Sequence, residues 1–333
     1  MKEKSLAIVI PVFNSGKYLS EFMDSLLTQS FNDFDIYIIN DGSTDNSLEI
    51  LNKYKQLDTR INLISQLNKG VGSARNRGMD EVLKSKVKYR YIYFCDSDDI
   101  LEANFIENSI RNIKLNNVDM LITKVVQFRG ERIKEQSKED YKEEKLDSIG
   151  IPEQYFKLTR KWRKHESSNC FLNNKIFKIE NVLKLRFDEN LRRSGDFDFF
   201  IRLIPKIHSA VIINNTAYYY REHSESISSR EKKLGDFEAC YKVVIDKLHW
   251  DSYNQIAKKG ISDRLIRGIY KNGEFYTFAG LHDSFDKDLK LFNRIRKQLT
   301  PSISSYRYLV ILKLPTIIQR KIFKVKKMIR KLV

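Results

Sequence analysis

Three acidic side chains follow directly on an apolar, aromatic stretch of the sequence. The run from Tyr91 to Cys95 has the composition of a buried strand, and Asp96, Asp98 and Asp99 come immediately after it. Carboxylates this close repel one another, and a divalent cation held by hard oxygen ligands offsets that repulsion. The residues alone leave a second interpretation open, a solvated turn that leads into a helix near Asn104.

The segments before this acidic cluster alternate between two hydrophobic periods. Leu6–Phe13, Phe34–Asn40 and Ile61–Ser65 read as strands, and each is followed by a stretch with helical spacing. Ser43 is predicted to cap the second of these helices. Strands that alternate with helices predict an α/β fold whose sheet is mostly parallel, doubly wound and right-handed, with helices on its faces.

Four successive predicted strands end in polar residues, namely Asn14, Asp41, Asn68 and Asp96. The carboxyl ends of parallel strands meet at one edge of the sheet, where open α/β sheets bind their ligands. The sequence has no Gly-x-Gly-x-x-Gly after the first strand and no Gly-Lys-Ser/Thr, which argues against a dinucleotide fingerprint and a P-loop. A nucleotide-sized crevice of another kind is therefore predicted at this edge.

The motifs at these strand ends resemble those of a known enzyme family. They are Ile-Pro-Val-Phe-Asn at 10–14, Asn-Asp-Gly-Ser-Thr-Asp at 40–45, Asn-Lys-Gly at 68–70 with Ala-Arg-Asn-Arg-Gly at 74–78, and Asp-Ser-Asp-Asp at 96–99. Their order and spacing are similar to those of the family 2 glycosyltransferases of GT-A fold. The resemblance implies an inverting glycosyltransferase that uses a nucleotide sugar, and the expected donor is a UDP-sugar.

The resemblance also assigns roles to individual residues of the first 100. Phe13 and Asn14 would border the base and ribose, Asp41 would accept a hydrogen bond from the uracil ring, and Asn68 with Arg75 would line the nucleotide and its phosphates. From the residues alone, Phe13 could equally be core, Asp41 a turn residue and Arg75 a surface charge. The implied nucleotide-sugar residues are Pro11, Phe13, Asn14, Asp41, Asn68, Gly70, Arg75, Asp96, Ser97 and Asp98.

A metal ion, Mn²⁺ or Mg²⁺, is implied on the same grounds. Asp98 would bind it, with Asp96 and His223 as further ligands. His223 closes a Tyr-x-Arg-x-His segment at 219–223 that is similar to another feature of the family, whereas a lone histidine in a polar loop is more often inert.

A second acidic motif lies about a hundred residues further on. Gly195-Asp196 stands where the family usually has Glu-Asp, so the aspartate is present and the glutamate is lost. We assign Asp196 as the general base that takes the proton of the acceptor hydroxyl. Two alternatives stay open: Asp196 as a helix cap, and Asp198 as a rival base on another face of the helix.

The predicted division of the chain is a catalytic domain at 1–230 and a helical region at 231–333. Within the catalytic domain, 1–100 would form the nucleotide-binding half and 101–230 the acceptor half. Residues 130–147 are dense in Lys, Glu and Asp and are predicted to be a surface loop. The three cysteines form no Cys-x-x-Cys pair, which favours a reducing cytoplasm over a disulfide framework.

Positive charge is concentrated at the C-terminus. Of a net charge of +17, residues 289–333 supply 13 Lys and Arg and no Asp or Glu. The last segment has an apolar stripe at helical spacing, and the basic residues beside it are Arg320, Lys321, Lys324, Lys327 and Lys331. This pattern predicts a helix on an anionic membrane surface, with a helix packed on the catalytic domain as the alternative.

The expected protein is cytoplasmic and peripheral at the inner face of the membrane, because no apolar run is long enough to span a bilayer. Its expected acceptor is a hydroxyl of a cell-envelope glycan or a lipid-linked acceptor, and a homo-oligomer is possible. Nucleic acid is not an expected partner, since the charge lies in one tail. A glycoside hydrolase would leave the nucleotide motifs without a purpose, and a non-catalytic relative is the remaining alternative.

Overall fold

The computed structural model of the protein describes residues 2–130, 141–156, 171–191, 195–223 and 249–278, with single positions between 286 and 323. Its N-terminal part alternates strands and helices. The elements are β1 (Lys2–Val12), α1 (Gly16–Leu27), β2 (Phe34–Asp41), α2 (Ser47–Leu57), β3 (Ile61–Gln66), α3 (Val71–Lys84) and β4 (Val87–Phe94). The strands lie in the order β3-β2-β1-β4, and all three pairings are parallel. The predicted parallel, doubly wound sheet is confirmed for this part of the chain.

The second half of the sheet is mixed. Its elements are β5 (Ile100–Leu101), α4 (Phe105–Asn116), β6 (Met120–Phe128), β7 (Glu143–Asp147), α5 (Gly150–Tyr155), β8 (Lys175–Lys178), α6 (Ile179–Val182), α7 (Gly195–Leu203), β9 (Ser209–Arg221) and α8 (Gln255–Phe278). Short 3-10 turns occupy Ile204–Lys206 and Trp250–Ser252. The sheet continues β4-β8-β6-β9-β5, with β7 paired to β9.

Strand direction in this half decides which residues meet. β8 is antiparallel to both β4 and β6, and β6 is parallel to β9. The carboxyl end of β9 therefore points to the same edge as the carboxyl end of β4, and the residues just before β8 lie at that edge too. This topology brings His223, Asn173 and the acidic cluster after β4 to one edge of the sheet.

Hydrophobic layers cover both faces of the sheet. One layer joins β1, β2 and β4 to α1 and α4, through Leu19, Phe22, Phe105 and Ile106 among others. The other layer joins the opposite face to α3, α7 and α8, through Met79, Phe199, Leu265 and Ile269 among others. Helix α8, from the predicted C-terminal region, thus shares a core with the sheet, and the boundary near residue 230 stays a prediction.

Residues 143–147 correct the prediction of a continuous surface loop. They form strand β7, which pairs antiparallel with β9. Only Leu146 of this strand is buried, and its neighbours are exposed or half-buried. The prediction was wrong here because one face of β7 is solvated, so its sequence is as charged as that of a loop.

The predicted cap of the second helix is also wrong. Helix α2 begins at Ser47, after Asn46, and not directly after Ser43. The Ser43 hydroxyl instead accepts a hydrogen bond of 3.1 Å from the backbone N–H of Asn14. It therefore ties together the loops that follow β1 and β2.

Two glycines offer a test of the packing of the helices. A Cβ at Gly78 of α3 would lie 2.3 Å from Val9 Cγ1 in β1, whereas a Cβ at Gly195 meets no described atom within 4 Å. We expect Gly78→Ala to lower the free energy of unfolding by about 1–3 kcal/mol through overpacking. Gly195→Ala is expected to raise it by about 0.4–1 kcal/mol, because alanine restricts the unfolded chain. Urea unfolding checks both, and equal midpoints would contradict the close approach of α3 to β1.

Candidate active site

The acidic cluster after β4 is built around Asp99, which is almost completely buried. Its carboxylate accepts hydrogen bonds from the Arg221 backbone N–H at 2.8 Å, from Asn173 Nδ2 at 3.3 Å and from the Tyr218 hydroxyl. Burial and the neighbouring carboxylates raise the pKa of Asp99 well above its usual range, against the effect of these bonds. Asp99 thus fastens the loop after β4 to the end of β9.

Asp98, in the same loop after β4, lies beside His223. Asp98 Oδ2 and His223 Nε2 are 2.9 Å apart, and Arg221 Nε donates to the backbone oxygen of Asp98 at 2.7 Å. The ring of Tyr18 in α1 packs on the His223 ring with centroids 4.6 Å apart. Two residues that are 125 positions apart and were both predicted to bind a metal are therefore neighbours.

The Asp98–His223 pair fits a divalent cation. Adjacent ligand atoms of a six-coordinate cation such as Mg²⁺ are about 3 Å apart, and a cation here would take the place of the proton in the 2.9 Å hydrogen bond between the two side chains. The carboxylate of Asp96 points elsewhere, toward Arg75 and Asn173. No group of three His, Cys, Asp or Glu side chains suited to a metal ion occurs in the described ranges. Asp98 and His223 would supply two ligands to such a cation, which would need its remaining ligands from water or substrate oxygens.

Arg75 connects the two acidic motifs. The residue is 5% exposed, and its guanidinium donates from Nη2 to Asp96 Oδ1 at 2.9 Å and from Nη1 to Asp196 Oδ1 at 2.6 Å. Burial raises the pKa of Asp96 to about 6, since the lowering effect of Arg75 is opposed by the charges of Asp98 and Asp196. Arg75 is thus buried between two carboxylates, and its interpretation as a surface charge is wrong.

Helix α7 presents its two aspartates to different surroundings. The side chain of Asp196 is 30% exposed and lies in the first turn, facing Arg75. Asp198 is fully buried and forms an ion pair of 2.5 Å with Arg202, one turn further along. The Asp198 carboxylate is thus paired with Arg202. Of the two aspartates, Asp196 is the one that contacts Arg75 in the site.

Asp41, at the end of β2, organises the turn before α3. Its carboxylate accepts hydrogen bonds from Gln66 Nε2 at 2.8 Å and from the backbone N–H groups of Lys69 at 3.0 Å and Gly70 at 2.8 Å. Gly70 has a φ of +94°, which favours glycine, and Asn68 is exposed on the same turn. A carboxylate has about four lone-pair positions, so Asp41 retains capacity for one more donor.

The end of β1 provides an exposed aromatic ring. Pro11 is buried within the strand, and Phe13 is 44% exposed, so the interpretation of Phe13 as core is wrong. Asn14 has a φ of +51°, and its Oδ1 accepts hydrogen bonds from the backbone and side chain of Thr44. Asn14 therefore braces the loops after β1 and β2, and Phe13 faces solvent next to them.

Two further contacts shape the floor of the site. Asn173 Nδ2 donates to Asp96 Oδ2 and to Asp99 Oδ2, at 3.3 Å each. The buried Ser97 hydroxyl lies 2.7 Å from that of Ser15, at the start of α1. Sequence analysis did not single out Asn173 or Ser15, and no local pattern marks them, since their partners lie 74 to 82 positions away.

Several predicted features lie outside the described residues. Cys95 is a buried free thiol, while the other two cysteines lie in undescribed stretches.

In the described part of the chain, no helix combines the length and the apolar character that crossing a bilayer requires. The basic tail residues outside the described set are Arg320, Lys321, Lys324, Lys327 and Lys331.

Sequence comparison places this geometry in a known family. The family model for glycosyl transferase family 2 matches residues 7–185. Glycosyltransferase GlyG of Streptococcus pneumoniae is 30% identical over 233 residues, which cover 69% of this chain and 74% of GlyG. The poly(ribitol-phosphate) β-N-acetylglucosaminyltransferase TarS of Staphylococcus aureus is 23% identical, over 72% of this chain and 39% of TarS.

Solved structures with the same fold agree with this placement. TarS residues 1–349 in complex with UDP-GlcNAc superpose with a TM-score of 0.67 at 17% identity, covering 89% of this chain and 82% of that one. GalNAc-T7 with UDP, GalNAc and Mn²⁺ gives a TM-score of 0.54 at 14% identity, over 78% of this chain and 50% of that one. The predicted family, enzyme class and fold are confirmed: the chain belongs to glycosyltransferase family 2 and is a glycosyltransferase with the GT-A fold.

Proposed function

We propose that the protein transfers a sugar from a UDP-sugar to a hydroxyl of a cell-envelope glycan or lipid-linked acceptor, with inversion at the anomeric carbon. The observation that carries this proposal is the bridge of Arg75 between Asp96 and Asp196. It joins the acidic cluster after β4 to the first turn of α7, 121 residues from Arg75. TarS, which is named as an N-acetylglucosaminyltransferase and crystallised with UDP-GlcNAc, supports the same class of donor.

The donor would lie along the carboxyl ends of β1, β2 and β4. The exposed ring of Phe13 offers a face for the base, and the buried Asp41 carboxylate, which accepts three hydrogen bonds, has lone-pair capacity for a fourth donor such as the uracil N–H. The turn at Asn68 and Gly70 lies at the N-terminus of α3, whose free N–H groups favour anionic groups such as phosphate. Ser97 would hold the loop after β4 in place through Ser15.

Asp98 and His223 are the residues we assign to Mn²⁺ or Mg²⁺. Their 2.9 Å separation supports this, as does the Mn²⁺ named with GalNAc-T7. When bound, such a cation neutralises negative charge on the diphosphate leaving group. Asp96 stays with Arg75 in this assignment, and its role is to hold the guanidinium that faces the site.

Asp196 is the residue we assign as general base. The acceptor oxygen forms the new bond to the anomeric carbon, the bond from that carbon to the diphosphate breaks, and the hydroxyl proton passes to Asp196. Arg75 contacts Asp196 Oδ1 only, and Oδ2 has no hydrogen-bond partner among the described residues. Oδ2 is therefore the oxygen we assign to the proton.

Gly195 leaves space beside this base. The family usually has a glutamate there, whereas a Cβ at Gly195 meets no described atom within 4 Å. We assign this space to the acceptor, because it adjoins the carboxylate that must reach the acceptor hydroxyl. The missing glutamate then changes the contacts to the acceptor and leaves the base in place.

The tail would hold the enzyme at the inner face of the cell membrane. Phe323 is buried and packs edge-on against Tyr270 of α8, with ring centroids 5.1 Å apart. We assign the basic residues that flank Phe323 in the sequence to an anionic surface on their charge pattern alone. Each Lys or Arg near such a surface contributes about 1 kcal/mol.

Vesicle flotation tests the membrane assignment. We expect replacement of Lys321, Lys324, Lys327 and Lys331 by glutamine to reduce binding to anionic vesicles at least tenfold, with unchanged melting temperature. The matched control replaces the same four residues by arginine, which keeps the charge and the binding. Equal flotation of the glutamine and arginine variants would contradict the assignment.

A donor panel tests the proposed reaction. The protein is incubated with UDP-, GDP- and dTDP-sugars, with Mn²⁺ or Mg²⁺ and with chelator, and released nucleoside diphosphate is measured. We expect release from a UDP-sugar, dependent on the added metal and stimulated by an acceptor. If none of the UDP-sugars is bound or consumed under any of these conditions, the proposed function is wrong.

A further inference from the structure

Asn76, the neighbour of Arg75 on α3, fastens a different part of the chain. Its side-chain amide donates from Nδ2 to the Phe187 backbone oxygen at 3.0 Å and to Glu189 Oε1 at 2.9 Å. Its Oδ1 accepts a hydrogen bond of 2.8 Å from the Phe187 backbone N–H. Asn76 is buried, so these bonds engage both amide protons and the carbonyl in holding residues 187–189 on α3.

The ring of Phe187 then contacts the elements that carry the site. It stacks on Phe199 of α7 with centroids 4.0 Å apart and packs edge-on against Phe94 at the end of β4, 5.4 Å away. The Arg75 guanidinium carbon lies 5.2 Å from the centroid of the same ring. One side chain therefore supports the arginine, the strand that ends in the acidic cluster and the helix that carries Asp196.

Two more contacts fix this segment. Arg202 of α7, which binds the buried Asp198, also donates from Nη2 to the Arg186 backbone oxygen at 2.7 Å. A Cβ at Gly72 in the first turn of α3 would lie 3.1 Å from the Asp188 backbone oxygen, so the helix and the segment are in close contact. Residues 186–189 thus form a joint between α3 and α7.

We propose that Asn76 and Phe187 are positioning residues that set the distance between Arg75 and Asp196. The inference rests on the proposed role of Asp196 as base. A displacement of about 1 Å in a catalytic group can lower the rate about 10²-fold. Among the described residues, the side-chain hydrogen bonds of Asn76 and the ring contacts of Phe187 reach Arg75 and none of the other residues assigned to the donor or the metal. The effect should therefore fall on kcat and spare donor affinity.

The test compares Asn76→Ala with Asn112→Ala. Asn112 is equally buried, on α4, and bonds to the Asn108 backbone oxygen and the Tyr141 hydroxyl, away from the site. For Asn76→Ala we expect kcat to fall about 30- to 100-fold, with the Kd for UDP within about threefold of the parent. For Asn112→Ala we expect a lower melting temperature and a kcat within about twofold. Equal kcat values for the two folded variants would overturn the proposal.

Two further variants keep the test sharp. Phe187→Leu retains an apolar side chain and is expected to fold, with a kcat reduced at least tenfold; a parental kcat would overturn the proposal. In an Asp196→Asn background, Asn76→Ala should lower the residual rate by less than threefold, because the base through which it acts is already lost. If Asn76→Ala lowered the residual rate of Asp196→Asn by the same factor as it lowers kcat of the parent, Asn76 would have a purely structural role. If the Asp196→Asn variant keeps full activity, the proposed function is wrong. If Asp196→Asn is inactive and Asn76→Ala is fully active, only the positioning inference is overturned.

Discussion

Replacement of Asp196 by asparagine is expected to lower kcat by about 10³-fold, within the range found for removal of a general base. The amide has the same shape, and its oxygen can still accept the hydrogen bond from Arg75 Nη1. The loss therefore reports the missing proton acceptor and not a displaced helix. Steady-state release of UDP, with UDP affinity measured in parallel, checks this result, and a kcat within tenfold of the parent would contradict it.

Asp198→Asn is the matched control, two residues along the same helix. Asp198 is fully buried and Arg202 is 15% exposed, so the neutral amide leaves a partly buried guanidinium without its charge partner. Loss of a hydrogen bond between charged groups costs about 1.5–3 kcal/mol of folding free energy. We expect this variant to unfold at much lower urea concentration, while its folded fraction loses far less kcat than Asp196→Asn does.

Replacement of Asp98 by asparagine is expected to have the second large effect. The carboxylate that adjoins His223 Nε2 at 2.9 Å is lost, and with it the stronger of the two assigned cation ligands. A cation at a leaving group contributes several kcal/mol to transition-state stabilisation, which corresponds to a loss of about 10²- to 10³-fold in kcat/KM. Titration with Mn²⁺, with and without UDP, measures the accompanying loss of metal affinity directly.

A surface carboxylate gives the control for this charge change. Glu49 on α2 is 68% exposed and pairs with Lys53, so Glu49→Gln is expected to leave Mn²⁺ affinity and rate unchanged. In the parent enzyme, chelator should abolish activity and added Mn²⁺ should restore it. Full activity of Asp98→Asn in the presence of chelator would show that Asp98 holds no required cation.

The first half of the fold follows from local patterns in the sequence. Strands β1, β2 and β4 each contain a continuous apolar run, because both faces of this part of the sheet are covered by helices. The motif residues lie at their carboxyl ends, so the sequence order alone places Asn14, Asp41 and Asp96 at one edge. Predictions of this kind succeed because they need only the period of the hydrophobic residues and the connection rule for parallel strands.

The second half depends on contacts between distant residues. Strand β8 runs antiparallel to β4 and so brings Asn173 next to the acidic cluster. No local sequence pattern predicts this change of strand direction. The same holds for Arg75, whose bridge between two carboxylates no local pattern indicates, while its predicted contact with phosphate stays a prediction. Strand β7 escaped prediction because its single buried side chain, Leu146, stands among charged neighbours.

The bridge by Arg75 gives the site its shape. A buried guanidinium between two carboxylates is favourable only if its geometry is held by the surrounding structure. Here α3, the Phe187 ring and the loop after β4 supply that support. Arg75 therefore links Asp196 to Asp96 after β4, and the surrounding residues hold this arginine in place.

A crystal structure of the Asp196→Asn variant with a UDP-sugar and Mn²⁺ tests the central claim most directly, that the acidic cluster and α7 serve one reaction. We expect the metal within about 2.3 Å of an Asp98 oxygen and of His223 Nε2, with the anomeric carbon facing residue 196. A nucleotide bound away from Phe13, Asp41 and Asp98, or a sugar whose anomeric carbon points away from residue 196, would contradict it.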